Sequence, residues 1–161
     1  DTAKVKKYIE SVDEVVSSAV VRFKKRFPEA KLKVILPNDV IMLMMDSTLI
    51  EQLIINLIQN AHIHSKSTKP IELNVQEYET KVWFSIRDYG VGIAEEDVPK
   101  IFDRFYRVDK SRNKEISGTG LGLAIAKWIM DSHDGKIFVE SKLEEGTTFT
   151  NRFRLFVAEE K

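Results

Sequence analysis

Two asparagines stand four residues apart in a segment rich in leucine and isoleucine, at Asn56 and Asn60. In a helix this spacing places both side chains on one face. Amides beside an apolar face cost free energy unless a partner uses them. In one interpretation they bond to backbone at the edge of the core. In the other, their carbonyl oxygens, chiefly that of Asn60, coordinate Mg²⁺, which prefers hard oxygen donors.

A carboxylate followed by two glycines forms the second cluster, because Asp88 precedes Gly90 and Gly92 directly after an alternating apolar segment. Glycine accepts positive φ and lets other groups approach the backbone closely. A carboxylate can accept a hydrogen bond from an amine such as the amino group of adenine. The segment from Asp88 to Ile93 therefore predicts either a pocket for a nucleotide base or a turn in which Asp88 bonds its own backbone.

The third cluster is a glycine-rich segment, Gly118 to Leu123, that leads into a helical apolar pattern. Free N–H groups at the start of a helix bind phosphate, so this segment predicts a phosphate cradle. It is not a P-loop, because no Lys-Ser/Thr follows, and neither its spacing nor its context is that of a dinucleotide fingerprint. It is not the loop of a eukaryotic-type kinase either, because no His-Arg-Asp sequence follows.

The segment between the two glycine clusters is charged and carries aromatic side chains. A polar run, 108–117, flanked by glycine-rich sequence predicts a mobile lid, with Phe102 and Phe105 docking it on the core. For its basic residues, a solvated surface role stays open. The candidate lid contacts with a nucleotide are Arg104, Tyr106 and Arg107.

Apolar periodicity predicts the elements that position these clusters. The predicted helices cover 5–26, 47–65 with Asp46 or Ser47 as the cap, a short segment near 95–102, and 121–132. The predicted strands cover 32–36, 40–45, 71–75, 82–86, 136–141 and 147–157. Strands interleaved with helices indicate an α+β fold, a two-layer sandwich with a mixed sheet and helices on one face.

Composition excludes several classes of function. A chain of 161 residues, 43% of them hydrophobic, suits one compact domain. Basic and acidic residues number 25 each, so no overall field favours nucleic acid or an anionic membrane. The absence of cysteine rules out disulfides, thiolate zinc sites and cysteine nucleophiles. No apolar run reaches the ~20 residues of a membrane helix, so we expect a cytoplasmic domain without direct membrane insertion.

Taken in order, four motifs resemble the N, G1, F and G2 boxes of the ATP-binding catalytic domain of sensor histidine kinases. This domain has the Bergerat fold of the GHKL superfamily, shared with gyrase, Hsp90 and MutL. The resemblance runs from about Val12 to Phe153, and the stretch from Leu36 through the N box is similar to KdpD-type potassium-sensor kinases. The boxes are Asn56 to Ala61, Asp88 to Ile93, Ile101 to Arg107 and Gly118 to Leu123.

The resemblance implies binding of ATP with Mg²⁺ and transfer of the γ-phosphoryl group to a histidine on a separate dimerisation domain, in two-component signalling. It implies an ATP-binding domain over 12–157, the end of a dimerisation region or linker over 1–11, and a tail over 158–161. It also implies a membrane-bound parent kinase, the longer protein that would carry this domain and act on a response regulator. The isolated domain would be monomeric. The implied metal ligands and catalytic residues are Asn60 and Asn56. The implied nucleotide contacts are Asp88, Gly90, Gly92, Ile93, Tyr106, Arg107, Gly118, Thr119, Gly120, Leu121, Gly122, Leu123 and Thr147.

Two positions qualify this expectation. Asn56 stands where ATP-hydrolysing relatives carry glutamate, and an amide cannot act as a general base, so the chain is suited to holding ATP for transfer. Ile63 stands where many members carry a lysine that contacts phosphate, a charge that isoleucine cannot supply. The candidates to replace that charge are Lys66, Arg112 and Lys114.

None of the three histidines has metal-ligand spacing or matches the family's phosphoacceptor motif. The histidines are His62, His64 and His133.

Two alternative functions stay open. One is a nucleotide-gated binding module without phosphotransfer, which Ile63 would permit. The other is a serine kinase or anti-sigma relative of the same fold, which the well-formed F box disfavours.

Overall fold

The computed structural model describes residues 4–106 and 121–155. Within these ranges the elements follow one another in this order: β1 (Tyr8–Ser11), α1 (Val12–Arg26), β2 (Leu32–Ile35), β3 (Met42–Met45), α2 (Ser47–Ser65), β4 (Ile71–Tyr78), β5 (Lys81–Asp88), a short 3-10 helix (Val98–Lys100), α3 (Gly122–Ser132), β6 (Lys136–Lys142) and β7 (Gly146–Arg154). No helix in these ranges is both long and apolar enough to cross a membrane.

Five strands form one mixed sheet in the order β2-β4-β5-β7-β6. β2 runs parallel to β4, and the other neighbours are antiparallel. Alternate side chains such as Leu73, Phe84 and Phe149 are buried on one face of this sheet, where α2 and α3 pack. The predicted α+β two-layer sandwich is confirmed.

Helix α2 is the central element of the helical layer, in contact with α1, α3 and the sheet. It begins where Oδ1 of Asp46 accepts a hydrogen bond from the N–H of Leu49 at 3.3 Å, and it ends at Lys66 in a left-handed conformation with φ of 57°. Burying each Leu or Ile side chain contributes roughly 1.5–3 kcal/mol. The buried residues of α2 are Ile50, Leu53, Ile54, Leu57, Ile58, Ala61 and Ser65.

The segment before α1 differs from the prediction. Helix α1 begins at Val12, not at residue 5, and the residues before it form β1, which pairs antiparallel with β3. Val5 and Ile9 are four residues apart, a spacing that fits the period of a strand as well as that of a helix. The helical interpretation of this segment was therefore wrong. Ser11 ends the strand and caps the helix, because its hydroxyl accepts from the N–H of Glu14 at 3.4 Å.

The other elements are confirmed, with two refinements. The predicted strands at 32–36 and 40–45 exist but join different sheets, because β2 pairs with β4 and β3 pairs with β1. The short helix expected near 95–102 is a single 3-10 turn, with Pro99 in its first residues. The β4–β5 hairpin forms as predicted. The β6–β7 hairpin also forms as predicted, as far as residue 155, where the described residues end.

Candidate functional site

The two asparagines lie half-buried on α2, and Asn56 lies beside the start of α3. The Asn56 amide nitrogen donates a hydrogen bond to the carbonyl oxygen of Gly122 at 3.4 Å. Among residues 4–106 and 121–155, the Asn60 amide has no hydrogen-bond partner. The backbone-bonding interpretation therefore holds for the Asn56 nitrogen, while its oxygen and the Asn60 amide keep their bonding capacity.

Asp88 is the last residue of β5 and is only 7% exposed. Its Oδ1 accepts a hydrogen bond from the N–H of Gly90 at 3.0 Å. Burial raises the pKa of the Asp88 carboxyl above its usual value, although the backbone N–H groups of Gly90 and Thr147 act to lower it. A carboxylate offers about four lone-pair positions, so the turn and a ligand can use this group together.

The glycines after Asp88 are required by the protein's own backbone. A Cβ on Gly90 would lie 2.0 Å from the carbonyl oxygen of Ser65, the last residue of α2. Gly92 has φ of +74°, and its Cβ would lie 2.1 Å from the carbonyl oxygen of Lys142. The N–H of Val91 donates to the Ser65 oxygen at 3.2 Å. The turn is thus held between the end of α2 and the β6–β7 hairpin.

A cluster of hydroxyl groups lies against the same turn. The N–H of Ile93 donates to Oγ of Ser141 at 2.7 Å, and this oxygen is 2.7 Å from Oγ1 of Thr147. Thr147 is 5% exposed and lies directly opposite Asp88 in the β5–β7 pair. The predicted residues Asp88, Gly90, Ile93 and Thr147 therefore come together. Ser141 was missed as a site residue, although its place opposite Thr147 in a predicted hairpin was a usable signal.

The segment after the 3-10 helix matches its prediction in part. The Phe102 ring packs edge-on against Phe149 at 6.1 Å between centroids, as expected for docking. Phe105 is 63% exposed with φ of +65°, so its predicted docking on the core is wrong. In this left-handed backbone conformation the ring lies outside the core, where the Arg104 guanidinium stacks over it at 5.7 Å from the ring centroid.

The Tyr106 hydroxyl donates a hydrogen bond to the Asp97 carboxylate, which raises the pKa of Tyr106. This side chain therefore contacts the segment just before it. The other predicted lid and phosphate contacts lie outside the described residues: Arg107, Arg112, Lys114, Gly118, Thr119 and Gly120.

The described part of the second glycine cluster begins α3. The Leu121 side chain does not cap this helix, so no side-chain cap from the described residues satisfies its first N–H groups. Among residues 4–106 and 121–155, a Cβ on Gly122 would meet nothing within 4 Å, so packing against these residues does not require glycine at this position. Leu123 packs against the core. An uncapped helix start with open space beside it fits an anion.

The chemistry of the donor set is suited to a metal held by amide and phosphate oxygens. In the described ranges, no three His, Asp or Glu side chains gather as metal ligands. Mg²⁺ keeps several waters and is often held by one or two protein oxygens plus substrate phosphates. The oxygen atoms of Asn56 and Asn60 fit that requirement.

Two histidines have structural roles. His62 packs against the Phe27 ring at 4.8 Å and lies 3.4 Å from the Glu29 carboxylate. Nε2 of His133 accepts from the N–H of Asp46 at 3.0 Å, and burial lowers the pKa of this imidazole.

Lys66, one candidate to replace the lysine missing at Ile63, is exposed at the end of α2.

Residues 45–157 match the family model of histidine kinase-, DNA gyrase B- and HSP90-like ATPases. The chain belongs to this family. It is 47% identical over 146 residues to the sensor protein KdpD of Clostridium acetobutylicum, covering 91% of this chain and 16% of that protein. It is 37% identical over 144 residues to the signal transduction histidine-protein kinase ArlS of Staphylococcus haemolyticus, covering 89% of this chain and 32% of that protein. The resemblance to sensor histidine kinases, including the KdpD type, is confirmed.

Solved structures of this ATPase family agree with the fold. The catalytic domain of the histidine kinase ThkA superposes with a TM-score of 0.79 at 28% identity, covering 93% of this chain and 96% of that one. The mycobacterial sensor histidine kinase MprB gives the same TM-score of 0.79 at 21% identity, covering 93% and 98%. The chain spans at most about a third of the length of these two curated relatives.

Proposed function

We propose that this chain is the ATP-binding catalytic domain of a sensor histidine kinase, which holds ATP with Mg²⁺ and presents its γ-phosphoryl group to a histidine on a separate dimerisation domain. One observation carries the proposal: helix α2 is joined to both glycine clusters. Gly90 packs on Ser65 at its end, and Asn56 bonds to Gly122 along its side. The turn after Asp88 and the start of α3 are thus both connected to the helix that carries Asn56 and Asn60, which supports a single site.

In this proposal Asp88 selects the base. Its carboxylate is acceptor-only when ionised and bonds the amino group of adenine. Its burial strengthens that bond, because competing water is excluded. Gly90, Gly92 and Ile93 border the base, and Thr147 lies beside Asp88 on the neighbouring strand.

The asparagines hold the metal. Asn60 and Asn56 would bind Mg²⁺ through their amide oxygens, and the bond from Asn56 to Gly122 fixes which end of that amide faces away from α3. When bound, the ion neutralises phosphate charge and orients the triphosphate. Because Asn56 carries no carboxylate, it cannot take a proton from water. The site therefore favours transfer to an acceptor over hydrolysis.

The start of α3 binds phosphate. The N–H groups from Gly118 to Leu123 bind the triphosphate oxygens, assisted by Tyr106 and Arg107. Such a site accelerates transfer by positioning and by charge stabilisation, without a covalent intermediate on this chain. The start of α3 is linked to the metal ligands through Asn56, so both groups act on the same end of the nucleotide.

The remaining expectations are part of the same proposal. The ATP-binding domain covers 12–157, preceded by a dimerisation region or linker and followed by a short tail. Its partners are the phosphoacceptor domain of the same parent kinase and, through the parent, a response regulator. The domain lies on the cytoplasmic side of a membrane-bound sensor and is monomeric by itself.

Calorimetry and phosphotransfer together test the proposal. ATP should bind in the presence of Mg²⁺ and bind more weakly with EDTA, whereas GTP should bind poorly. Mixing the chain with Mg²⁺, γ-labelled ATP and the dimerisation domain of the parent should then give acid-labile label on a histidine. Absence of ATP binding would contradict the nucleotide site itself.

The absence of a lysine at Ile63 favours one second candidate, a nucleotide-gated binding module without phosphotransfer. ATP binding that is intact while no histidine becomes labelled would favour that candidate. Acid-stable label on a serine would indicate a serine kinase. Replacing Ile63 by lysine should raise ATP affinity if the missing charge limits binding, with Thr68→Lys at an exposed position as the control for added charge.

A further inference from the structure

Ser141 stands at the point where the turn after Asp88 meets the β6–β7 hairpin. Its Oγ accepts a hydrogen bond from the N–H of Ile93 at 2.7 Å. The same oxygen lies 3.1 Å from the carbonyl oxygen of Gly146 and 2.7 Å from Oγ1 of Thr147. Three partners thus surround one half-buried hydroxyl.

The protons of this cluster can be assigned by counting. A hydroxyl has one proton and two lone pairs. The contacts of Ser141 with Gly146 and with Thr147 each need a proton between two oxygens, and only the hydroxyls of Ser141 and Thr147 can supply one. If Ser141 donated to Thr147, its lone pair would face the Gly146 carbonyl without a proton. Ser141 therefore donates to Gly146, and Thr147 donates to Ser141.

This assignment determines what Thr147 can offer a ligand. Its only proton is used by Ser141, so Oγ1 keeps lone pairs alone. Ser141, Thr147 and Asp88 form a row across β6, β7 and β5, because Thr147 lies directly opposite both of the others. Directly opposed residues in a sheet share one face and lie about 4.5–5.5 Å apart between Cβ atoms. Thr147 and an ionised Asp88 thus form an acceptor-only edge.

We propose that Ser141 is a specificity-determining residue, which holds the Thr147 hydroxyl as an acceptor so that the edge beside Asp88 favours the amino group of adenine over a ring carbonyl. The inference rests on the proposed nucleotide site. Ser141 acts through Thr147 and Ile93 and is a positioning residue. A carbonyl at the same position of the base would face acceptors only, and unpaired polar groups of this kind carry most of the discrimination in such sites.

The test compares ATP with ITP, in which a carbonyl replaces the amino group of the base and the neighbouring ring nitrogen N1 carries a proton, while the sugar and the triphosphate are the same. In Ser141→Ala the Thr147 proton is released and can be donated to a carbonyl. The ratio of ATP affinity to ITP affinity should fall by about fivefold, the value of roughly one hydrogen bond. Ser141→Thr, which keeps a hydroxyl, should restore the ratio. Ser85→Ala, on the opposite face of β5, is the matched control and should leave it unchanged.

Thr147→Val tests the proton assignment independently, and it serves also if Ser141→Ala does not fold. Removal of an acceptor should lower the ATP to ITP ratio, whereas removal of a donor would raise it. A raised ratio in Thr147→Val, or equal weakening of both nucleotides in Ser141→Ala, overturns the inference while leaving ATP binding by the wild type intact. If the wild type bound neither nucleotide, the proposed function itself would fail.

Discussion

The turn after Asp88 and the start of α3 are both rich in glycine, but their glycines answer different requirements. At Gly90 and Gly92 a side chain would collide with the protein's own backbone, 2.0 Å from Ser65 and 2.1 Å from Lys142. At Gly122 no atom of the described residues lies within 4 Å of the added atom. Glycine is thus needed for folding in the first region. In the second it leaves room that residues 4–106 and 121–155 do not fill.

Substitutions can therefore distinguish the roles of these two glycine-rich regions. Changes in the closed turn should act on stability first, and changes at the open helix start should act on ligand binding first. Substitutions of the charged and amide side chains at the edge of the two regions should have effects on stability and on ligand binding that lie between these two extremes.

Gly90→Ala is expected to have the largest effect. The new methyl group has to displace the end of α2, so the free energy of unfolding should fall by about 3 kcal/mol, at the upper end of what overpacking usually costs. Denaturant unfolding followed by circular dichroism measures this change. An unfolding midpoint equal to that of the wild type would show that the turn is not closed against Ser65.

Asp88→Asn should separate binding from stability. Loss of a charged hydrogen-bond acceptor should weaken ATP binding about 10- to 100-fold, as measured by calorimetry. The asparagine oxygen can still accept from Gly90, so the turn should persist. Unchanged ATP affinity would remove Asp88 from the site.

The same variant has a pH signature. Burial raises the pKa of Asp88 above its ordinary value of 3.8, so the folded chain binds this proton more tightly than the unfolded chain does. Its stabilising contribution is complete below the unfolded pKa and is lost as the pH rises through the folded pKa. The amide introduced by Asp88→Asn cannot ionise, so the variant should match or exceed the wild-type melting temperature at pH 7 and lose that advantage near pH 4. A variant less stable at pH 7 than at pH 4, relative to wild type, would contradict the burial effect.

Asn60→Ala should affect the metal more than the fold. Because its amide has no partner among the described residues, the free energy of unfolding should change by less than about 1 kcal/mol. ATP affinity in Mg²⁺ should fall by about tenfold, the value of one charge-assisted contact, and affinity in EDTA should not change. Asn38→Ala, in the exposed turn before β3, is the control. An equal loss with and without Mg²⁺ would assign Asn60 to the nucleotide instead.

Gly122→Ala should have the smallest effect on the fold, and that effect should be favourable, because alanine stabilises helices relative to glycine by about 0.8–1 kcal/mol. No described residue lies within 4 Å of the added methyl group, so a modest loss of ATP affinity would report that the nucleotide occupies this space. Thermal melting and calorimetry on the same sample check both parts. A clear loss of stability would place this glycine in the same class as Gly90.

Local patterns in the sequence predicted most elements because their signals are local. The cap at Asp46 and the spacing of apolar residues define α2, and alternation defines the β4–β5 hairpin. The pairing of β1 with β3, and of β2 with β4, depends on contacts distant in the chain. No local pattern distinguishes those partners, and Val5 with Ile9 fits both a helix and a strand.

The candidate site could be proposed from residue types, but the contacts that hold it together could not. Asp88, Asn56 and Asn60 are unusual in their apolar surroundings, and their chemistry singles them out. That Gly90 is fixed by Ser65 depends on the packing of α2 on the turn. Ser141 cannot be found by residue type, since its importance lies in three partners from separate parts of the chain.

Because Gly90 packs on the last residue of α2, this helix fixes the position of Gly90 relative to Asn60. Asn60 and Ser65 are five residues apart on one rigid cylinder, a rise of about 7.5 Å along its axis. In the proposed site, the spacing between Gly90, which borders the base, and Asn60, which binds the metal, is therefore set by the length of helix between them. A ligand in which the base and the phosphates are spaced differently would then lose contact at one end, so the helix would select nucleotides by their length.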